Sequence, residues 1–238
     1  MGVYDVNVLS IDWDFFLKLG NRARMYLPDV TEHSTNSPEL SNFLWGTWYA
    51  TLKKMTRKSG TEVELNEDAI SSVIKTVQKC CQDAEFFYIE DHGDIYDILA
   101  ENEGCKFNIV NIDQHHDCYL TCMYDLNCGN WVRYLYDDGF ISSYTWITNE
   151  NYKDYEKDFP EWGTKITENP LEFIQGMFYD YVFLCKSPEY VPPEFDSRLN
   201  DLCKVFEHSC RKTTYTSKLC VRDIPVIEIP SIPSGYEG

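Results

Sequence analysis

Apolar and polar positions along this chain switch between a period of two and a period near three and a half. Residues 6–11 form a short β-branched, apolar run of strand length that ends in Ser10-Ile11-Asp12-Trp13-Asp14. Phe15 and Phe16 follow, and the chain then reads as a polar loop to about residue 36. Over residues 38–58, Leu40, Phe43, Leu44, Trp48, Leu52 and Met55 recur at helical spacing, with Trp45 and Trp48 read as core. Asn66 stands where a helix cap belongs, ahead of a helix to about residue 82 with Ile70, Val73, Ile74, Val77 and Cys81 on one side. A strand at 85–89 runs into Glu90-Asp91-His92-Gly93-Asp94, and a short helix at 95–103 stops at Gly104. Residues 107–112 are a buried-strand signal ending in Asp113-Gln114-His115-His116-Asp117. A short helix at 131–136, a strand at 141–147 and an irregular polar-aromatic stretch at 149–169 come next. The strand at 181–185 ends in Lys186-Ser187-Pro188-Glu189-Tyr190, and Pro192 and Pro193 open a helix to about residue 209. A last strand is expected within 221–229, confined to an edge by Pro225 and Pro230.

Strands alternating with helices predict one α/β domain over residues 1–238: three α/β/α layers around a mostly parallel central sheet. In such sheets ligands bind beyond the carboxyl ends of the strands. Four predicted strands end there in polar groups: Asp12 and Asp14, then His92, then Asp113, His115 and Asp117, then Glu189. If the backbone stays extended, Asp113, His115 and Asp117 share a face, as do Asp12 and Asp14, with Trp13 and His116 on the opposite sides. Carboxylates and imidazoles on one face suit a divalent metal and are rejected by an apolar core. A solvated loop accounts for any one such end. Four at one edge favour a metal site.

Composition narrows the partners. Thirty-nine acids against 21 bases give a net charge of −18, which argues against nucleic acid or an anionic membrane and is compatible with a cationic substrate. Ten cysteines with no Cys-x-x-Cys read as free thiols of a reducing compartment. With no apolar run of signal-peptide or membrane-spanning length, the expectation is a cytoplasmic protein.

With these residues laid out, the chain resembles the arginase–deacetylase (ureohydrolase) superfamily. Asp113-Gln114-His115-His116-Asp117 looks like the family's Asp-Ala-His-x-Asp, Ser10-Ile11-Asp12-Trp13-Asp14 like its Ser-x-Asp-x-Asp, and Glu90-Asp91-His92 like its Gly-Gly-Asp-His. Cys128-Gly129-Asn130 is similar to a Ser-Gly-Asn that holds the substrate's amino-acid end, and Glu189 to a late glutamate that grips the guanidinium. The order departs from the family, because Ser-x-Asp-x-Asp opens this chain, so the arginase-like fold is expected with its motif order permuted. Trp131-Val132 stands where arginases place His-Gly. Closest in style are peptide arginases, whose Asp-x-Asp-Phe-Phe, Gly-Asn-Trp and Ser-Pro-Glu signatures match residues 12–16, 129–131 and 187–189.

The resemblance implies a hydrolase with two Mn2+ that converts arginine, within a peptide, to ornithine and urea as a post-translational modification. It implies one metal on His92, Asp113, Asp117 and Asp12, and another on Asp113, His115, Asp12 and Asp14. Asp117 and Glu189 would be catalytic, with Asn130 and Glu189 holding substrate. Other readings stay open: a ureohydrolase of free arginine or agmatine, a deacetylase, a phosphoesterase, or a non-catalytic binding protein. A carboxylate at Glu189 favours a cation over a phosphate.

Overall fold

Val8, Leu9 and Ile11 of the first strand, β1 (Tyr4–Asp12), have no exposed surface, because both faces of the strand are covered. The computed structural model describes residues 4–19, 38–55, 63–120, 125–149, 156–166 and 170–224. Its other strands are β2 (Leu17–Leu19), β3 (Val63–Leu65), β4 (Glu85–Ile89), β5 (Cys105–Ile112), β6 (Ile141–Ile147), β7 (Thr164–Ile166), β8 (Tyr181–Cys185) and β9 (Lys212–Tyr215). The helices are α1 (Pro38–Met55), α2 (Glu67–Cys80), α3 (Asp94–Ala100), α4 (Trp131–Asp137), α5 (Pro170–Phe173) and α6 (Asp196–Ser209). Seven strands form one sheet in the order β7-β6-β5-β1-β8-β4-β9, and each neighbouring pair is parallel. β2 and β3 make a separate antiparallel ribbon.

Alternate residues of each inner strand enter different cores, as a period of two requires. Leu9, Ile11, Phe86, Tyr88, Val110 and Ile112 pack with α1, α2 and α6 through side chains such as Trp45, Val73 and Phe206. Val8, Phe87, Ile89, Phe107, Ile109 and Phe183 pack with α3 and α4 through Leu99 and Trp131. The result is the expected α/β/α layering, with α2 and α4 on opposite faces. The connection leaving β1 thus covers one face and the connection leaving β5 the other. A crevice opens between such strands at their carboxyl ends. Register brings those ends level: Ile11 pairs with Ile112, Asp12 with Cys185, and Cys185 with Ile89. Asp12 and Asp113, a hundred residues apart in the chain, are therefore adjacent.

Several expectations shift. The strand expected within 221–229 is not seen at 221–224, and 225–229 lie outside the described residues. The edge position belongs to β9, whose Lys212 and Thr214 side chains both bond to Glu85. A strand with one neighbour needs no apolar run, so β9 and the still shorter β7 carry little periodic signal. β2 begins where a polar loop was expected, and residues 20–36 of that loop lie outside the described residues. In α1 the buried side is Trp45 and Trp48, while Leu40 and Phe43 are exposed. The Trp45 indole donates to the Pro188 carbonyl at 3.0 Å, which helps set that face. The side chains of Leu52 and Met55 lie outside the description. No described helix is long and apolar enough to cross a membrane.

Asn66 caps α2 as expected, its side chain accepting the Ala69 N–H at 3.3 Å. Replacing it with alanine is expected to lower unfolding stability by about 1 kcal/mol. Urea denaturation measures this; an unchanged midpoint at constant slope would show that the cap contributes nothing.

Candidate metal centre

Three aspartates at strand ends shape this site by one local device. Asp12 Oδ1 accepts the Asp14 N–H at 3.1 Å, Asp91 Oδ1 the Gly93 N–H at 2.7 Å, and Asp113 Oδ1 the His115 N–H at 2.9 Å. Each bond curls the chain back over its strand end. The alternation expected of extended backbone is therefore not how the side chains converge. Residues Trp13–Phe16 form a 3-10 turn, and Asp113 to Asp117 run through bends. Asp117 completes the return with φ of 52°, a left-handed conformation that aspartate tolerates better than most residues. His116 points away: its Nδ1 accepts the Cys118 N–H at 2.9 Å and its Nε2 donates to the Lys157 carbonyl at 2.8 Å. That pairing defines a neutral ring, in keeping with burial, which lowers its pKa.

Asp12, Asp14, His92, Asp113, His115 and Asp117 meet at the carboxyl ends of β1, β4 and β5. His92 Nδ1 lies 3.0 Å from Asp117 Oδ2, 3.3 Å from Asp113 Oδ2 and 3.4 Å from Asp12 Oδ2. His115 Nδ1 lies 3.3 Å from Asp14 Oδ2 and 3.5 Å from Asp113 Oδ1. Two groups of potential ligands follow, Asp12/His92/Asp113 and Asp14/Asp113/His115, each with its ligand atoms within 4.8 Å of one another. Asp113 belongs to both, turning one oxygen to each imidazole. Asp12 faces His92 with Oδ2, while its Oδ1 is taken by the Asp14 N–H.

The residues fit a divalent cation on three counts. A single imidazole N–H cannot serve three carboxylates, whereas one cation can. Ligands about 2.1 Å from an octahedral ion stand about 3.0 Å apart, close to the spacing here. Among the described residues, the buried Asp14 carboxylate is faced only by His115, whose Nδ1 lies 3.3 Å from Oδ2. A buried carboxylate in that condition is destabilising unless a cation compensates it.

The electrostatics of the metal-free site agree. Burial pushes the pKa of Asp12 and Asp14 up, reinforced by Asp113, and pushes Asp117 up to about 7. Burial also opposes ionisation of Asp113, but hydrogen bonds from His115 and His92 overcome it and hold Asp113 below the usual range. Burial would lower His92 and His115, yet the facing carboxylates outweigh it and raise both.

A second set of side chains orients the ligands, and sequence reasoning assigned it no role. Ser10 Oγ lies 2.7 Å from His92 Nε2, and Ser187 Oγ donates to Asp12 Oδ2 at 2.6 Å. The Trp131 indole donates to Asp117 Oδ2 at 2.7 Å, and Asn111 Nδ2 reaches Asp117 and Asp113 at 3.3 and 3.4 Å. Ser10 and Asn111 had one readable signal: each is a polar residue inside an apolar strand. The β8 loop that presents Ser187 is braced by the buried Asp196, which accepts from Arg222 Nε at 2.8 Å and lies 3.4 Å from Lys186 Nζ.

Two predicted residues stand apart from the ligand groups. Asn130 is buried, its Oδ1 accepting the Asn127 N–H at 2.8 Å and its Nδ2 donating to the Asp125 carbonyl at 3.0 Å. Glu189 lines a cavity of about 260 Å³ with Glu90, Asp91 and Asp94. Burial, then Asp91, pushes its pKa up to about 7. Tyr190, next in the chain, places its ring 5.3 Å from that of His115.

Fold and site together define a parallel α/β protein with a buried carboxylate–imidazole centre able to hold a metal ion. No protein-family model, curated protein or solved structure matches the chain.

Protons and cations compete for this centre, so its metal affinity depends on pH. Asp117 near 7 and the raised imidazoles mean that a metal-free site holds protons an ion must displace. Affinity is expected to rise, with net proton release, from about pH 6 to about pH 8. Calorimetry in buffers of different ionisation enthalpy reads both; a flat affinity without proton release would contradict this electrostatic account.

Proposed function

We propose that this protein is a dinuclear manganese hydrolase that cleaves the guanidino group of arginine within a peptide, giving ornithine and urea. The observation that carries the reading is Asp113, whose two oxygens face two imidazoles, each flanked by further carboxylates. Charge supports two ions rather than one. Asp12, Asp14, Asp113 and Asp117 carry four negative charges when ionised, which two divalent cations neutralise while both histidines stay neutral. Oxygen-rich ligation with two imidazoles suits manganese better than zinc. When bound, such a pair of ions supplies a nucleophile by lowering the pKa of water toward neutrality.

The chain's own residues do the rest. Glu189 is suited to a guanidinium through charge-assisted hydrogen bonds, and Glu90, Asp91 and Asp94 around the same cavity add negative potential that favours a cation. Water oxygen bonds to the guanidinium carbon, the bond from that carbon to Nε breaks, and Nε leaves as the ornithine amine. Asp117, ionised beside the ions, is suited to take the proton of the attacking water and pass it to that nitrogen. The state of Asn130 favours peptide over free arginine. Both ends of its side chain are occupied within its own loop, leaving no matched group for a free α-amino acid. The described cysteines are all free thiols, which supports a cytoplasmic setting.

Glu189→Gln is expected to keep both metals and lose at least about a hundredfold in turnover. Ornithine formation in an arginine-containing peptide should far exceed that from free arginine in the unaltered protein. Urea release and metal analysis on the same preparations test this. Wild-type turnover in Glu189→Gln would remove the guanidinium assignment.

A further inference from the structure

We propose that Lys186 and Cys220 form a covalent cross-link, Nζ–O–Sγ, when the protein meets hydrogen peroxide, and that a thiol reductant reverses it. The bond ties the segment after β9 to the loop after β8. Neither the arginine reaction nor the number of bound ions enters the proposal.

Lys186 follows directly on β8, where its backbone N–H donates to the Ile89 carbonyl at 3.0 Å. Its side chain is 1% exposed, a place lysine rarely occupies. An ammonium has three protons to place. Asp196 lies 3.4 Å from Nζ and Glu90 3.7 Å, and the third neighbour is Cys220 Sγ at 3.5 Å. Thiol sulfur is a weak acceptor, so that contact does little to hold the charge. It does set nitrogen and sulfur facing each other across a gap that one oxygen atom can bridge. Among the described cysteines Cys220 alone is exposed. Peroxide therefore reaches the sulfur, while burial keeps the nitrogen from other reagents.

Charge permits the step. Asp196 is buried, but Arg222 serves both of its oxygens, with Nε 2.8 Å from Oδ2 and Nη2 2.7 Å from Oδ1. Loss of the Lys186 charge therefore strands no buried carboxylate. Glu90, 40% exposed at its side chain, can carry the released proton to water. One peroxide oxidises the thiol to a sulfenic acid and is reduced to water. A second peroxide takes up the electron pair given up as the amine nitrogen bonds to the sulfenic oxygen. Sulfur and nitrogen each lose two electrons. One ammonium, one thiol and two peroxides give the bridge, three waters and one proton. The segment is already laid on the loop, because Arg222 also donates to the carbonyls of Pro188 and Val191. That loop carries Ser187, which bonds to Asp12, so the cross-link fixes a support of the metal centre.

Peroxide treatment of the full chain, followed by intact mass measurement and tryptic peptide mapping, tests the bond. The expected product has gained one oxygen and lost two hydrogens. Its Lys186 and Cys220 peptides are joined, trypsin no longer cuts after Lys186, and dithiothreitol restores the starting mass. Cys220→Ala, at an exposed position that leaves the fold intact, should abolish the joined peptide. Amide hydrogen exchange over residues 187–191 should slow by about tenfold or more in the cross-linked protein. Cys220 recovered as sulfinic or sulfonic acid with Lys186 free would overturn the proposal. So would a joined peptide that persists in Cys220→Ala, or cross-linked protein whose loop exchanges as fast as before.

Discussion

Everything in this structure answers to one electrostatic constraint: four aspartates are gathered where water is nearly excluded. Asp12, Asp14, Asp113 and Asp117 are all buried, and two imidazoles are the cationic partners within reach. Burial first, and then like charges this close together, disfavour ionisation, and the raised pKa values of Asp12, Asp14 and Asp117 express that cost. The fold tolerates it because two well-covered cores lie on either side of the sheet, and because the cluster could hold a compensating metal ion.

The parallel sheet is what makes the gathering possible. β1 and β5 are paired in register as far as Ile11 and Ile112, so Asp12 and Asp113 end level at the crevice between oppositely covered strands. β4 and β8 add His92 and Ser187 from the other side of β1. The aspartate turns then fold each loop back toward the centre, and φ values of 52° at Asp117 and 44° at Ser187 complete two of the returns. Left-handed backbone at residues other than glycine costs of order 1 kcal/mol and concentrates at functional sites. Of the three described non-glycine residues with such backbone, Asp117 and Ser187 touch the cluster, and Asp158 is the third.

Much of this was legible in the sequence. Apolar runs ending in Asp12, Asp113 and Cys185 announced the inner strands, because a strand covered on both faces must be apolar almost throughout. The same runs exposed the acids and His92 as abrupt changes of character. What stayed hidden was set by tertiary context. β9 and β7 lie at edges, where pairing on one side and contacts such as Lys212 with Glu85 replace a hydrophobic signal. Along α1 Trp45 and Trp48 are buried as expected, but Leu40 and Phe43 are exposed, and the Trp45 bond to a carbonyl of the β8 loop is a partner no helical period reveals. Alternation was the wrong reason for the convergence of Asp113, His115 and Asp117, since a side chain bonding to its own backbone ends the extended geometry. The outer bonds from Ser187 and Trp131 join residues 175 and 14 positions away from their aspartates, and only the fold brings them together.

The central claim is that the Asp113 carboxylate stands between two metal ions. Crystals grown with manganese and measured on both sides of its absorption edge test it directly. Two anomalous peaks are expected, one against Asp12, His92 and Asp117 and one against Asp14 and His115, with Asp113 contributing an oxygen to each. A single peak, or none within reach of Asp113, would contradict the account.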